Sequence, residues 1–147
     1  REGEQERGVA GEGAMKEAET EQEGGRVAGG AGAPRQRVLV VDDEPGLCDL
    51  ACIWLRSLGY DVEGVNSPQQ ALGRLAEGEY EILFSDVVMP GGMDGVALAR
   101  QALSKHPGLK VLLTSGYAKT LLEENPPGPV LAKPYRKSDL ARAFDRL

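Results

Sequence analysis

No run of about 18 consecutive apolar residues, the length a helix needs to cross a bilayer, occurs in this chain, and no signal-peptide pattern is visible. A soluble, cytoplasmic protein without membrane contact is expected. Cysteine and histidine are nearly absent: Cys48 and Cys52 stand four apart in "LCDLACIWLRSLG", and His106 is the single imidazole. That inventory excludes a closed zinc site and a disulfide framework. The two thiols are expected as small apolar residues on a packed helix in a reducing compartment. Basic charge is the minority, with 17 Lys and Arg against 23 acids and a net charge of -6, so an extended nucleic-acid surface has no support. A single lysine aimed at a phosphate remains compatible with this balance.

What is present suffices for one core: 147 residues, 41% of them hydrophobic, make one domain of ordinary size. The composition breaks near Pro34. Residues 1 to 33 hold nine glycines, eight acids, four basic residues and no aromatic residue, too little apolar surface to offset ordering entropy. Residues 1–35 are therefore expected as a Gly/Glu-rich linker or tail and residues 36–147 as the domain. Arg at position 1 suggests a fragment or processed product of a longer protein.

From Arg37 onward, short apolar runs alternate with helical periods. "RVLVV" reads as a buried strand. Leu47, Leu50, Ala51, Trp54, Leu55 and Leu58 then recur on one face of a helix stopped by Gly59, which places Trp54 in the core. "YDVEGV" alternates as a strand. Ser67-Pro68-Gln69-Gln70 supplies an N-cap, a proline at the first helical position and a Gln three residues on, a capping-box signature. "YEILFSD" is a third strand, Asp94 caps "GVALARQALSK", "KVLLTS" is a fourth strand, and a short helix covers "YAKTLLEE". "PVLAK" is the fifth strand, after which Ser138 is expected to cap "DLARAFDRL". Five strands alternating with five helices predict an α/β fold with a parallel sheet buried on both faces.

Ligands of such sheets bind beyond the strands' carboxyl ends, where strand order reverses; in the flavodoxin-like order this lies between strands one and three. Those strands end in "VVDDE" and "FSDVV", so Asp42 and Asp43 should meet Asp86 in one crevice. Strand four ends there with Thr114 and Ser115, strand five with Lys133 and Pro134. Each residue alone has a plain structural role as a cap, turn former or solvated strand end. Together they make a site. Three adjacent carboxylates repel unless a cation neutralises them, and all-oxygen ligands with room for water suit Mg2+. A carboxylate, an ammonium and a hydroxyl around such an ion can place a phosphoryl group on an aspartate, with Asp86 as nucleophile and Lys133 offsetting charge.

The ordered set "DDE", "SDVVMPGGMDG", "TSG" and "KPY" resembles the receiver domains of two-component response regulators over residues 36–147. The resemblance implies a flavodoxin-like doubly wound (βα)5 fold with strand order 2-1-3-4-5 and a phosphoacceptor at Asp86. It implies Mg2+ held by Asp43 directly, by Asp42 largely through water, by Asp86, and by the Val88 backbone carbonyl. Ser115, the residue before Gly116, matches the hydroxyl that moves toward the phosphoryl group. Lys133 pairs with phosphate, and the bond before Pro134 is expected to be cis. The implied partner is a histidine kinase or histidine phosphotransfer domain. The domain is expected not to be an enzyme in its own right, and to bind no nucleic acid itself.

Two features depart from the common pattern. Val130 stands where many receivers place a switching aromatic residue, and the additional glycine of "MPGGMDG" with "LLTSGY" is similar to receivers attached to hybrid histidine kinases. His106, before a proline turn away from the site, is expected to take no part in phosphotransfer. The alternative of an aspartyl-phosphate phosphohydrolase would call for an Asp-x-Asp signature, which "DVV" lacks. A mononucleotide binder would call for a phosphate loop where this chain has acids.

Overall fold

Strand β1 (Arg37–Val41) lies between β2 (Asp61–Val65) and β3 (Ile82–Asp86), with β4 (Lys110–Ser115) and β5 (Val130–Ala132) beyond β3. The order is therefore β2-β1-β3-β4-β5, every pairing is parallel, and the expected doubly wound sheet is present. The computed structural model describes residues 35–147. The linker expected over residues 1–35 lies, apart from Arg35, outside the described residues.

Helices α1 (Pro45–Ser57), α2 (Pro68–Glu77), α3 (Gly95–Lys105), α4 (Ala118–Glu123) and α5 (Lys137–Asp145) follow the five strands in turn. Residues 36–55 and 61–147 form one compact unit. In the intervening residues 56–60, Gly59 takes a φ of 103° and donates its N–H to the Arg56 carbonyl at 3.0 Å, which stops the helix where the sequence places the stop. Among the described residues no helix is long and apolar enough to cross a membrane.

Alternation along the strands sends successive side chains to opposite faces of the sheet. Leu39, Leu83 and Leu113 meet Ala71 and Leu75 of α2 and Leu98, Ala99 and Ala102 of α3. These three leucines have no exposed surface, and each contributes about 2 kcal/mol from burial. On the other face the Phe84 ring packs edge-on against Phe144 of α5 at 5.7 Å. There Cys48 and Cys52 of α1, both buried and neither in a disulfide, lie against β2. A Cβ on Gly64 would stand 2.8 and 2.9 Å from their sulfurs, so the small thiols and the bare glycine fit one another. This matches the expectation that the cysteines serve packing.

Three local expectations are corrected. On α1 the buried row is Cys48, Ala51, Cys52 and Leu55, whereas Leu47 and Leu50 are 45% and 40% exposed, Leu58 is exposed as well, and Trp54 is only half-buried. Both rows have helical spacing, and only docking against the sheet decides which one is covered. The N-cap of α5 is Arg136 rather than Ser138, and Asp139 three residues on accepts the Arg136 N–H at 2.8 Å. At α2, Ser67 caps as expected, accepting the Gln70 N–H at 3.1 Å, but the Gln70 side chain reaches back one residue further, to the N–H of Asn66. Asp94 caps α3 through the Ala97 N–H at 2.8 Å.

Candidate functional site

Register brings the acids together. Val41 pairs with Ser85 across β1 and β3, so Asp42, one residue past the end of β1, stands beside Asp86, the last residue of β3. One carboxylate oxygen from each of Asp42, Asp43 and Asp86 lies within 4.8 Å of the other two. Asp42 and Asp86 are each 7% exposed, and Asp43 is half-buried. Burial raises the Asp42 carboxyl above its usual range, and the charges of Asp86 and Asp43 push the same way. The Glu44 N–H, donated to Asp42 Oδ1 at 2.9 Å, and Lys133 oppose the rise. Lys133 Nζ donates to Asp86 Oδ2 at 3.1 Å, the cation contact of this group.

The donor set fits a hard divalent ion: three carboxylate ligands, two of them buried, carry more negative charge than Lys133 neutralises. Val88 follows on the exposed turn after β3, its side chain 62% exposed. That turn is shaped by Gly91 and Gly92, with φ of 96° and 92°, conformations only glycine takes without strain. The turn is anchored by the Val87 N–H on the Thr114 carbonyl at 3.0 Å and by the Gly95 N–H on the Val87 carbonyl at 2.8 Å. Any Cβ at Gly95 would fall 2.1 Å from the Asp86 carbonyl oxygen, so the start of α3 touches the backbone of Asp86 itself.

The two hydroxyls that end β4 have different commitments. Thr114 Oγ1 donates to the Leu131 carbonyl at 2.9 Å and so ties β4 to β5. Ser115 Oγ, on a residue 2% exposed, accepts the Tyr117 N–H at 2.9 Å and keeps its own proton to donate. Lys133 follows β5, and its bond to Pro134 is cis, as expected. His106 caps α3 and shares a surface cleft with Gly78 and Tyr80, on the segment leading into β3 and so at the amino edge of the sheet. All the site residues expected from the sequence thus gather at the carboxyl edge, and His106 stands apart from them, as expected.

Two features of this edge went unread in the sequence. Asn66 donates its side-chain amide to the Asp42 backbone carbonyl at 2.9 Å; a polar residue before a cap gives no sign of such a long-range bond. A cleft of about 360 Å3 opens beside Asp42 and Lys133, walled by Leu47, Leu50, Trp54 and Tyr135. Trp54 meets the Tyr135 ring edge-on at 6.2 Å, and Tyr135 packs on Phe84 at 6.0 Å. Burial, then the charges of Asp42 and Asp86, push the Tyr135 phenol up to about 12. The leucine spacing of α1 carries the signal for the cleft, but an exposed row and a buried row of one helix share the same period.

Comparison with known proteins agrees with this geometry. The chain is 31% identical over 116 residues to the response regulator receiver protein CpdR of Brucella abortus (strain 2308), an alignment covering 76% of this chain and 96% of that protein. It is 38% identical over 110 residues to the sensor kinase CckA of the same organism, covering 71% of this chain and 12% of the kinase. A CheY-like receiver domain structure from Methanospirillum hungatei JF-1 superposes with a TM-score of 0.70 at 25% identity, covering 77% of this chain and 93% of that one. A sensor protein structure from Polaromonas sp. JS666 gives 0.68 at 30% identity, covering 77% and 95%. Residues 38–145 match the response regulator receiver domain, and the chain belongs to that family of two-component signalling domains.

Proposed function

We propose that this domain accepts a phosphoryl group on Asp86 from the phosphohistidine of a histidine kinase or histidine phosphotransfer domain. The observation that carries this reading is the cluster of three carboxylates within 4.8 Å, with Lys133 on Asp86 at 3.1 Å, at the carboxyl edge of a doubly wound sheet. An Asp86 carboxylate oxygen attacks phosphorus as the phosphorus–nitrogen bond of the donor breaks, and the imidazole leaves with that electron pair. Asp42, Asp43, Asp86 and the Val88 carbonyl would hold Mg2+, which supplies charge neutralisation for the oxygens around phosphorus. Lys133, already beside Asp86, turns its ammonium to the incoming phosphoryl oxygens. Ser115 gives up the Tyr117 N–H and donates its hydroxyl proton to one of those oxygens, which frees the start of α4 to move.

The domain promotes its own phosphorylation and turns over no substrate; a kinase activity belongs to another domain or protein. Coverage of 96% of the receiver protein CpdR and the identity to a 110-residue stretch of the sensor kinase CckA support service as a single-domain regulator or as the receiver of a hybrid kinase. The nearly neutral charge of the domain supports a protein partner over nucleic acid. Intact-protein mass spectrometry with a small acyl phosphate donor and Mg2+ tests the reading. One added phosphoryl group is expected, absent from Asp86→Asn; equal labelling of that variant would overturn it.

A further inference from the structure

Asp42 is tied through its backbone N–H and carbonyl to the last residue of β2 and to the residue after it. Its N–H donates to the Val65 carbonyl at 3.2 Å, and its own carbonyl accepts the Asn66 side-chain amide at 2.9 Å. The peptide between Asp42 and Asp43 is planar, so holding the Asp42 oxygen also sets the direction of the Asp43 N–H and the place of the Asp43 Cα. Asp43, half-buried, extends its carboxylate from that point toward Asp42 and Asp86. A water molecule could replace the Asn66 amide as donor but could not hold the carbonyl in one place, because water is not fixed to α2.

Asn66 is fixed to it. Its backbone N–H donates to Gln70 Oε1 at 2.8 Å, and the Gln70 N–H donates in turn to Ser67 Oγ at 3.1 Å. Pro68, buried at the first helical position, stiffens the same turn. The cap of α2 therefore serves a second purpose: it orients an exposed asparagine whose side chain crosses to the loop after β1.

We propose that Asn66 is a positioning residue for Asp43, acting through the Asp42 carbonyl to hold that carboxylate where a divalent ion is bound. The inference rests on the Mg2+ reading of the site. It assigns Asn66 no contact with the ion or with the phosphoryl group, and predicts that its loss weakens the ion's binding more than the fold.

The test uses the full chain, labelled with nitrogen-15, as wild type, Asn66→Leu and Asn66→His. Leucine matches the size of asparagine without the donor, while the imidazole Nδ1–H of histidine takes the place of the Asn66 amide donor. Titration with Mg2+ alone, followed by amide shifts, is expected to show binding weakened about tenfold in Asn66→Leu and within about twofold of wild type in Asn66→His, as for partners one bond removed from a metal ligand. Without metal, melting temperatures should differ little, while amide exchange at Asp43 should quicken in Asn66→Leu alone. Equal Mg2+ affinity in wild type and Asn66→Leu overturns the inference, as does equal weakening in both variants. If the wild type itself bound no Mg2+, the metal reading of the site would fall. Unchanged Asp43 exchange in metal-free Asn66→Leu would then overturn the clamp separately.

Discussion

Replacing Asp42 by asparagine is expected to stabilise the metal-free protein while blunting its response to Mg2+. One carboxylate oxygen from each of Asp42, Asp43 and Asp86 lies within 4.8 Å of the other two, and at that separation two unit charges repel by about 3.5 kcal/mol at an effective dielectric constant near 20. Lys133, 3.1 Å from Asp86, offsets part of this, and solvent at half-buried Asp43 screens another part. A net gain of about 1 to 2 kcal/mol remains for removing one charge. Asparagine keeps the shape and retains an oxygen to accept the Glu44 N–H, so packing and the loop turn are preserved.

The sign with pH follows from the raised Asp42 carboxyl. Because its folded value lies above the 3.8 of the unfolded chain, the native state holds this proton to higher pH. Stability from this group is therefore lost as pH rises from the unfolded value through the folded one. The asparagine variant escapes that loss, so its advantage should be largest at alkaline pH and vanish below pH 3.8. In chelator, the variant should melt roughly 4 to 8 °C above the wild type, given about 4 °C per kcal/mol for a domain of this size. Adding millimolar Mg2+ should raise the wild type more than the variant. A metal-free variant that melts at or below the wild type, or an advantage independent of pH, would refute the reasoning.

Other expectations concern the same edge. Val88 cannot orient a water in line with phosphorus, so the phosphorylated state should be long-lived. Val88→Asn should speed its decay about tenfold, worth about 1.4 kcal/mol in the transition state, as followed by loss of label after donor removal; unchanged decay would count against this path. Gly95→Ala should destabilise the domain by roughly 2 kcal/mol or more in urea unfolding, since the added Cβ meets the Asp86 carbonyl at 2.1 Å. Wild-type stability in that variant would show that the start of α3 moves freely.

Much of this domain is decided by local chemistry. The continuous apolar runs of β1, β3 and β4, the Ser67-Pro68 and Asp94 caps and the Gly59 stop each act within a few residues, so the elements and their parallel alternation could be read from the chain, while the strand order followed from the resemblance to receiver domains. The acids were legible for the same reason: a carboxylate at the end of a buried strand conflicts with its surroundings, and four such polar ends must share one sheet edge. Tertiary structure decided what depends on distant partners. Which row of α1 is covered turned on docking against Gly64 and the sheet, leaving Leu47, Leu50 and Trp54 to wall a cleft. The cap of α5 is a local exception: Arg136 rather than Ser138 takes that place, its N–H accepted by Asp139 only three residues on. The bond from Asn66 to the Asp42 carbonyl spans 24 residues. It exists only because β2 pairs beside β1, and pairing is a property of the folded sheet, which no local signal along the chain encodes.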